Sequence, residues 1–355
     1  MTHESKRIGL VLMNLGTPDA PDRASVKRYL KEFLADPLVV TAPSMVRWAV
    51  SRGVATFRSK QSAHAYQTVW TEEGSPLLVH SKAHAEAVAH DLKDQYSVRV
   101  AMRYGNPGLL EAVASLKEEG CDSYVLMPVY PQYAEVTTLS CLRKLQEVCE
   151  ALGLSLDDWR WVPPFYAHPD YIQAYTEFLR PRLEAFGADC VLMSFHGLPV
   201  KQLDEPICCV STCDRVNTVC PSISATNARC YRAHCFATAR GLAKGLGLNQ
   251  DHYTVGFQSR LGKLPWIGPD SVAVLDDLYA KGVRRLAVMS PAFVSDCLET
   301  DEELGIAMKE TWCKKPDTSF ALLPCLNASD EWVKATQRLL STAVPVVLTE
   351  EGRLA

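Results

Sequence analysis

Short apolar runs bounded by turn residues recur along the chain: IGLVLMNLG (8–16), VRVAMRYG (98–105), SYVLMPVYP (123–131) and WRWVPPF (159–165). The second half repeats the rhythm with ADCVLMSFHG (188–197), TVGFQSRLG (254–262), RRLAVMSPAF (284–293) and SFALLPCL (319–326). Runs of this length without alternation predict strands buried on both faces. Between them, apolar residues recur at helical spacing in DRASVKRYLKEFL (22–34), HSKAHAEAVAHDL (80–92) and LSCLRKLQEVCEAL (139–152). Strand–helix alternation predicts an α/β fold in which parallel sheets carry helices on both faces. Four runs per half predict an internal duplication of that fold.

The Pro-rich VPPFYAHPD (162–170) marks the boundary between halves. The expected division is residues 1–165 and 166–328, the second half holding a cysteine-rich insertion at 206–230. A helix SDEWVKATQRLL (329–340) and a tail to 355 follow, the helix free to pack on either half. Ligands of such sheets collect at the carboxyl ends of the strands. There the chain places Asn14 and Thr17, Arg103 and Tyr104, Tyr130 and Tyr133, Ser194 and His196, Gln258, Ser259 and Arg260, and Ser295, Asp296 and Glu299.

With 355 residues, 47% of them hydrophobic and 22% charged, two domains of ordinary size are expected. A formal charge of −4 gives no electrostatic reason to expect nucleic acid as a partner. MTHESKRIGLVLMNLG reads as a first strand and not as a signal peptide, and no apolar run approaches the ~20 residues a membrane span requires. A soluble, cytoplasmic protein is expected, in which the 13 cysteines meet a reducing compartment and seldom form disulfides. No pattern in the chain specifies an oligomeric state.

In SFHGLP (194–199), His196 stands just past a strand where a neutral imidazole can accept a proton or bind a borderline metal. A histidine merely bonded to its turn is the plainer alternative. In SDCLETDEE (295–303), Ser295 or Asp296 is expected to cap a helix, and Asp296, Glu299 and Glu303 to share one of its faces. Such a stripe is either a solvated face or, with His196 in the same layer, an Fe(II) site or proton relay. His80, His84 and His90 lie among Lys82, Glu86 and Asp91 and read as a solvent face rather than a zinc site. GLAKGLG (241–247) reads as a helix end, and Walker, GxSxG and HExxH sequences are absent.

CCVSTCDRVNTVC (208–220) and the cysteine at 230 give Cys208, Cys209, Cys213, Cys220 and Cys230 in a segment with neither helical nor strand period. It buries little apolar surface, so an ordering ligand is expected, either a four-thiolate zinc or a [2Fe–2S] cluster. The spacing does not decide between them.

SFHGLP, GFQSRLGKLPWIGP and SPAFVSDCLETDEEL resemble the ferrochelatase family, enzymes that insert Fe(II) into protoporphyrin IX at the end of haem synthesis. GLVLMNLGTPDAP, WTEEGSPLL (70–78), MRYGNP (102–107) and PVYPQYAEVTT (128–138) extend the likeness over nearly the whole chain. The resemblance implies two Rossmann-like halves enclosing a porphyrin cleft, with Fe(II) as substrate and no organic cofactor. It implies that His196 and Glu299 form the metal-site and proton-accepting pair, accompanied by Asp296. It implies that Arg103, Tyr104, Trp266, Leu15 and Ser75 lie beside the macrocycle. Residues 36–57 correspond to a cleft lip that in the family often carries a peripheral membrane contact, which would place the cytoplasmic protein peripherally on the inner membrane; packing of the same helix on the core is the alternative. A chelatase for another tetrapyrrole, such as coproporphyrin, and a non-catalytic haem or redox sensor are the competing readings.

The chain departs from the family at Cys297, where some relatives have histidine, and at Asp301, where an apolar residue is usual. Its insertion resembles the segment by which some bacterial ferrochelatases bind a [2Fe–2S] cluster. That implies Cys213, Cys220 and Cys230 as ligands, with Cys208 or Cys209 as the fourth. Cys235 aligns with a cysteine of cluster-free relatives and is not expected to be a ligand.

Overall fold

The structure is a computed structural model that describes residues 7–203, 213–217, 219–260 and 264–354. Its strands are Ile8–Thr17 (β1), Tyr96–Gly105 (β2), Tyr124–Pro128 (β3), Trp159–Trp161 (β4), Cys190–His196 (β5), Tyr253–Gln258 (β6), Arg285–Met289 (β7), Ser319–Leu322 (β8) and Val344–Pro345 (β9). The helices are Arg23–Ala35 (α1), Ser44–Val69 (α2), Pro76–Leu92 (α3), Leu109–Glu118 (α4), Ser140–Leu152 (α5), Pro169–Phe186 (α6), Tyr231–Leu246 (α7), Ala273–Ala280 (α8), Lys309–Cys313 (α9) and Asp330–Leu340 (α10). Two π-helical segments, Glu135–Leu139 and Glu299–Met308, complete the regular elements used below.

One sheet has the order β2-β1-β3-β4-β9 and the other β6-β5-β7-β8. In each, the first strand of the half lies between the second and third, all pairings there are parallel, and the fourth strand is added outside the third. The eight apolar runs therefore build one strand order twice, as the duplicated rhythm predicts. The run 159–165 supplies only three strand residues, because Pro163 and Pro164 have no N–H to donate to a ladder. β9 joins β4 antiparallel, Val344 opposite Trp161, and no run in the sequence announces it.

The chain folds as two compact units. The first runs to Tyr130, resumes over Glu135–Pro163 and takes Thr336 onward. The second comprises Pro131–Ala134 and Pro164–Ala335. The core of the first unit joins Val11, Met13 and Leu126 to Leu142, Leu145 and Trp159, with Tyr124 stacked on Trp159 at 4.7 Å. Burying each such side chain contributes about 1.5–3 kcal/mol. In the second unit, Leu192, Leu286 and Val288 from the sheet meet Leu275, Leu304 and Trp312 from the helical layer.

Local chemistry sets the helix ends. Asp22 caps α1 by accepting from Ala24 N and Ser25 N, at 2.7 and 3.1 Å. α7 ends at Gly247, whose φ of 73° is left-handed, so GLAKGLG is a helix terminus as expected and not a phosphate loop. His84 corrects the reading of α3. Ser81, His84, Ala85 and Val88 form its buried stripe, and His84 Nε2 pairs with Thr336 Oγ1 at 3.0 Å. Burial lowers the imidazole to about 3, so it is a neutral core residue and not part of a solvent face.

Candidate active site

β5 delivers His196 to its carboxyl end, half-buried and directly opposite Gln258 of β6. Gly197 turns the chain there. A Cβ at that position would stand 2.6 Å from the Gln258 carbonyl and 3.3 Å from Trp266 Cε3. Only glycine allows this approach, which brings Trp266 over the residue next to His196. Pro199 and Trp266 bridge, Tyr231 Oη donates to the His196 carbonyl at 2.9 Å, and Phe293 meets the imidazole edge-on with ring centres 6.3 Å apart.

His196 Nδ1 lies 2.7 Å from the Gly197 carbonyl oxygen. A carbonyl only accepts, so Nδ1 carries the proton. In the neutral ring Nε2 therefore keeps a lone pair available for a proton or a metal. The turn-bonded histidine that the sequence offered as the plainer reading is therefore present, and its hydrogen bond leaves Nε2 unoccupied by the turn.

The acids lie on the segment after β7. The π-helix begins at Glu299 with Leu298 before it and no side-chain cap, so neither Ser295 nor Asp296 caps it. Asp296 instead belongs to the preceding loop. Its carboxylate accepts from Cys325 N (3.0 Å) and Asn327 Nδ2 (2.6 Å), while its own N–H donates to Asn327 Oδ1 (2.8 Å). Asp296, Glu299 and Glu303 consequently do not share one helical face. Glu303 turns toward the end of β6, where Gln258 Nε2 donates to it at 3.3 Å and Ser259 Oγ also donates. Gln258 Nε2 also reaches the Glu299 carbonyl at 2.8 Å, and its Oε1 accepts from Ser194 Oγ at 2.7 Å.

Burial and the charge of Glu299 push Glu303 above the usual carboxylate value, and His196 is within electrostatic reach of it. Burial, with the charges of Asp296 and Glu299, raises Asp301 to about 7. Cys297 is buried and its thiol is pushed well up, first by burial and then by Glu299, so it stays protonated. Glu299 and His196 thus both act on Glu303, the acid raising it and the imidazole lowering it, and with burial the net effect is that Glu303 holds its proton more tightly than a solvated carboxyl does. The sequence marked Glu303 as a member of the acid stripe and Asp301 as a departure from the family, but it carried no signal that either is raised.

The first unit has its own set, taken by itself. Thr17 Oγ1 donates to Ser75 Oγ at 2.7 Å, and Asn14 Oδ1 accepts from the backbone N–H of half-buried Leu15 at 2.9 Å. Arg103 donates from Nη2 to Asp36 (2.6 Å) and from Nε to Ser140 Oγ (2.6 Å). Tyr104 Oη donates to the same carboxylate oxygen at 2.8 Å, as does Ser140 Oγ at 2.7 Å. Burial works to raise Asp36, but hydrogen bonds from Ser140 and Leu38 and the Arg103 charge hold it below its ordinary value. Tyr104 is only 1% exposed and its phenol is pushed up by burial. Asp36 is the residue that sequence reasoning missed. Its one signal is an acid directly after α1 and before Pro37.

Cys208 and Cys209 lie outside the described residues. Cys220 and Cys230 are buried and Cys213 half-buried. Cys230 is the N-cap of α7, where the helix dipole favours a negative sulfur. Arg232 Nη1 lies 3.0 Å from Cys220 Sγ and 3.9 Å from Cys213 Sγ. A guanidinium and a helix N-terminus thus lie near these sulfurs. Among the described residues no three His, Cys, Asp or Glu side chains stand close enough to hold a metal ion, so the fit is not that of a closed ligand cage. Cys235 is buried and its thiol is driven well up by burial, unlike a ligating thiolate.

The profile of a family described as Ferrochelatase matches residues 7–344. A curated protein of Coxiella burnetii (strain RSA 493 / Nine Mile phase I) named Ferrochelatase is 40% identical over 336 residues, 94% of this chain and 93% of that protein. One of Legionella pneumophila (strain Lens) with the same name is 41% identical over 346 residues, covering 94% and 99%. Among solved structures, SirB from Bacillus subtilis with Fe3+ aligns with a TM-score of 0.50 at 9% identity over 94% of each chain. The sirohydrochlorin chelatase SirB of B. subtilis subspecies spizizenii in complex with cobalt gives 0.50 at 8% over 95%. The last two establish a shared chelatase-type α/β fold.

Proposed function

The chain belongs to the ferrochelatase family and is a metal chelatase of the lyase class, and from that premise we propose that it inserts Fe(II) into protoporphyrin IX to form protohaem. Insertion releases two pyrrole protons for each dication taken up, so a base must stand within reach of the ring nitrogens. His196 Nε2 is that base. The observation that carries the reading is the 2.7 Å contact that places the proton on Nδ1 and leaves Nε2 free, with Glu303 within electrostatic reach of the ring. Glu299 and Glu303 take the protons onward, and Asp296 fixes the loop from which the π-helix starts. Leu15, Ser75, Arg103 and Tyr104 of the first unit and Trp266 of the second are the residues assigned to the macrocycle. Tyr104 acts through Arg103, since its own hydroxyl is bound to Asp36.

The segment 208–230 is assigned to a [2Fe–2S] cluster, with Cys213, Cys220 and Cys230 as ligands and Cys208 or Cys209 as the fourth; structural zinc is the alternative. The cluster, when bound, supplies one-electron chemistry that metal insertion does not use, which favours a staple or redox sensor. A cytoplasmic protein with a peripheral membrane contact is supported by the lip. No described helix is long and apolar enough to cross a membrane, while Met45, Trp48 and Phe57 are 83%, 59% and 86% exposed and Arg52 lies over Trp48.

The test is anaerobic chelation with protoporphyrin IX and coproporphyrin side by side. His196→Ala is expected to lose about 10²–10⁴-fold in rate with protoporphyrin, the usual contribution of a positioned base. Near-normal chelation by a folded His196→Ala, Glu299→Ala double variant overturns the roles, and a preference for coproporphyrin overturns the substrate.

A further inference from the structure

The side-chain amide of Gln258 is buried and met at both ends. At one end Oε1 accepts from Ser194 Oγ at 2.7 Å. At the other, Nε2 donates to the Glu299 carbonyl at 2.8 Å and to Glu303 Oε2 at 3.3 Å. These contacts fix which way the amide faces. Turned over, its oxygen would meet a carbonyl and a carboxylate with no hydrogen between them, and buried acceptors left without a donor are destabilising. A serine hydroxyl has one hydrogen to give. Ser194 gives it to Gln258, so Ser271 Oγ, 2.8 Å away, donates to Ser194. The donors therefore run in one direction, from Ser271 through Ser194 to the amide and on to the acids. Ser194 and Ser271 are both fully buried. Room for Ser271 comes from Gly256, which pairs with Ser194 between β5 and β6 and where a Cβ would stand 2.5 Å from Ser271 Oγ.

The amide spans two separate pieces of the site. Ser194 precedes His196 by two residues in β5, so both side chains leave the strand on one face, and Gln258 pairs with His196 across the ladder. Glu299 and Glu303 belong to the π-helix that follows β7. We infer that Gln258 is a positioning residue for chelation: its amide ties the strand that carries His196 to the segment that carries the acids, and holds the Glu303 carboxylate where a proton leaving the base can reach it. This rests on the proposed role of Glu303 in taking protons onward. Ser259 Oγ donates to the same carboxylate but stands in the loop after β6, whereas Gln258 leads through Ser194 into the strand of the base. A hydrogen bond that only orients an acceptor contributes to turnover and not to porphyrin binding. Gln258 acts through Glu303 and takes no proton itself.

The experiment is anaerobic steady-state insertion of Fe(II) into protoporphyrin IX by the full chain, as wild type, Glu303→Gln, Gln258→Met, the double variant and Ser290→Ala. Glu303→Gln is measured first, and wild-type turnover by that variant overturns the reading of Glu303 and the inference with it. With that reading standing, Gln258→Met keeps the side-chain length and removes the amide. It is expected to lower kcat about tenfold to a hundredfold, the scale of one hydrogen bond to a charged group, with KM for the porphyrin within about twofold. Ser194 keeps a partner in this variant, since its hydroxyl can turn to Ser271. Ser290→Ala removes another buried hydroxyl, which donates to the Ser194 carbonyl at 2.7 Å and not to the amide, and is expected to keep the wild-type kcat. An equal loss there would mean that packing of the layer accounts for the effect, and overturns the inference. The double variant is expected to be no slower than Glu303→Gln alone, because the amide works through that carboxylate. Losses that multiply in the double variant overturn the inference and leave the reading of Glu303 standing. Should Gln258→Met not fold, neutron diffraction from wild-type crystals answers the same question, since nitrogen and oxygen scatter neutrons differently. The amide nitrogen is expected to face Glu303, and an oxygen there overturns the proposal.

Discussion

Asp36 in the first unit and Glu303 and Asp301 in the second are carboxyls withdrawn from water, and their surroundings drive them in opposite directions. Asp36 accepts from Arg103, Tyr104 and Ser140 and is held below its ordinary value against the effect of burial. Glu303 and Asp301 are raised by burial and by neighbouring acids, with hydroxyl donors too few to offset it. A paired and satisfied acid stays ionised and fixes structure. An acid crowded by others keeps its proton to higher pH than a solvated one, the kind of group the proposed proton transfer would use. Burial alone does not separate the two cases; the partners do.

The largest expected effect of breaking this contrast is at Asp36. Asp36→Asn removes the charge opposite Arg103 and is expected to destabilise by about 3–5 kcal/mol at neutral pH, as breaking a buried pair does. The sign of the pH dependence follows from the depressed value. The stabilisation is present above the ordinary value of 3.8 and is lost as pH falls through the lower folded-state value. Urea unfolding of wild type and variant should therefore converge in strong acid, and a gap that persists there unchanged contradicts the ionised assignment.

Glu303→Gln inverts the pattern. It keeps the shape and the Ser259 and Gln258 neighbours but cannot exchange a proton. Chelation is expected to fall about 10²-fold, equivalent to about 2.7 kcal/mol in the barrier, while stability at pH 8 holds or rises. A loss of stability on the scale of Asp36→Asn would show that Glu303 is a structural acid of the same kind.

What the sequence disclosed and what it hid follow the same physics. β1, β5 and β7 were legible because strands buried on both faces read as unbroken apolar runs, and the position of His196 at the end of β5 followed from that. β9 was not, since its two residues are defined by a pairing with Trp161 more than 180 positions away. Asp296 was misread as a cap because the acids were placed on an ordinary helix; the wider π-helix starts three residues later and a loop holds Asp296. His84 was misread from its charged neighbours although its own stripe, Ser81 to Val88, is apolar or small. Asp36 could not be ranked at all, because its partners Arg103 and Ser140 come from separate elements.

Asp301 gives the smallest and most diagnostic effect, since it stands where the resemblance leads one to expect an apolar residue. Its folded-state value of about 7 exceeds the ordinary 3.8, so the native protein binds its proton more tightly than the unfolded chain. The stability this contributes is fully present below 3.8 and is lost as pH rises through about 7. Asp301→Asn, uncharged at every pH and still able to pair with Thr300, is therefore expected to match wild type near pH 4. Above pH 7 it should exceed wild type by on the order of 1 kcal/mol, the common scale for a single substitution. A gain in the urea midpoint that grows between these limits and then levels places the raised acid at 301. A gain of the same size at pH 4 and pH 8 would mean that the substitution acts by packing, and that the crowding of Asp296, Glu299 and Asp301 does not hold a proton there.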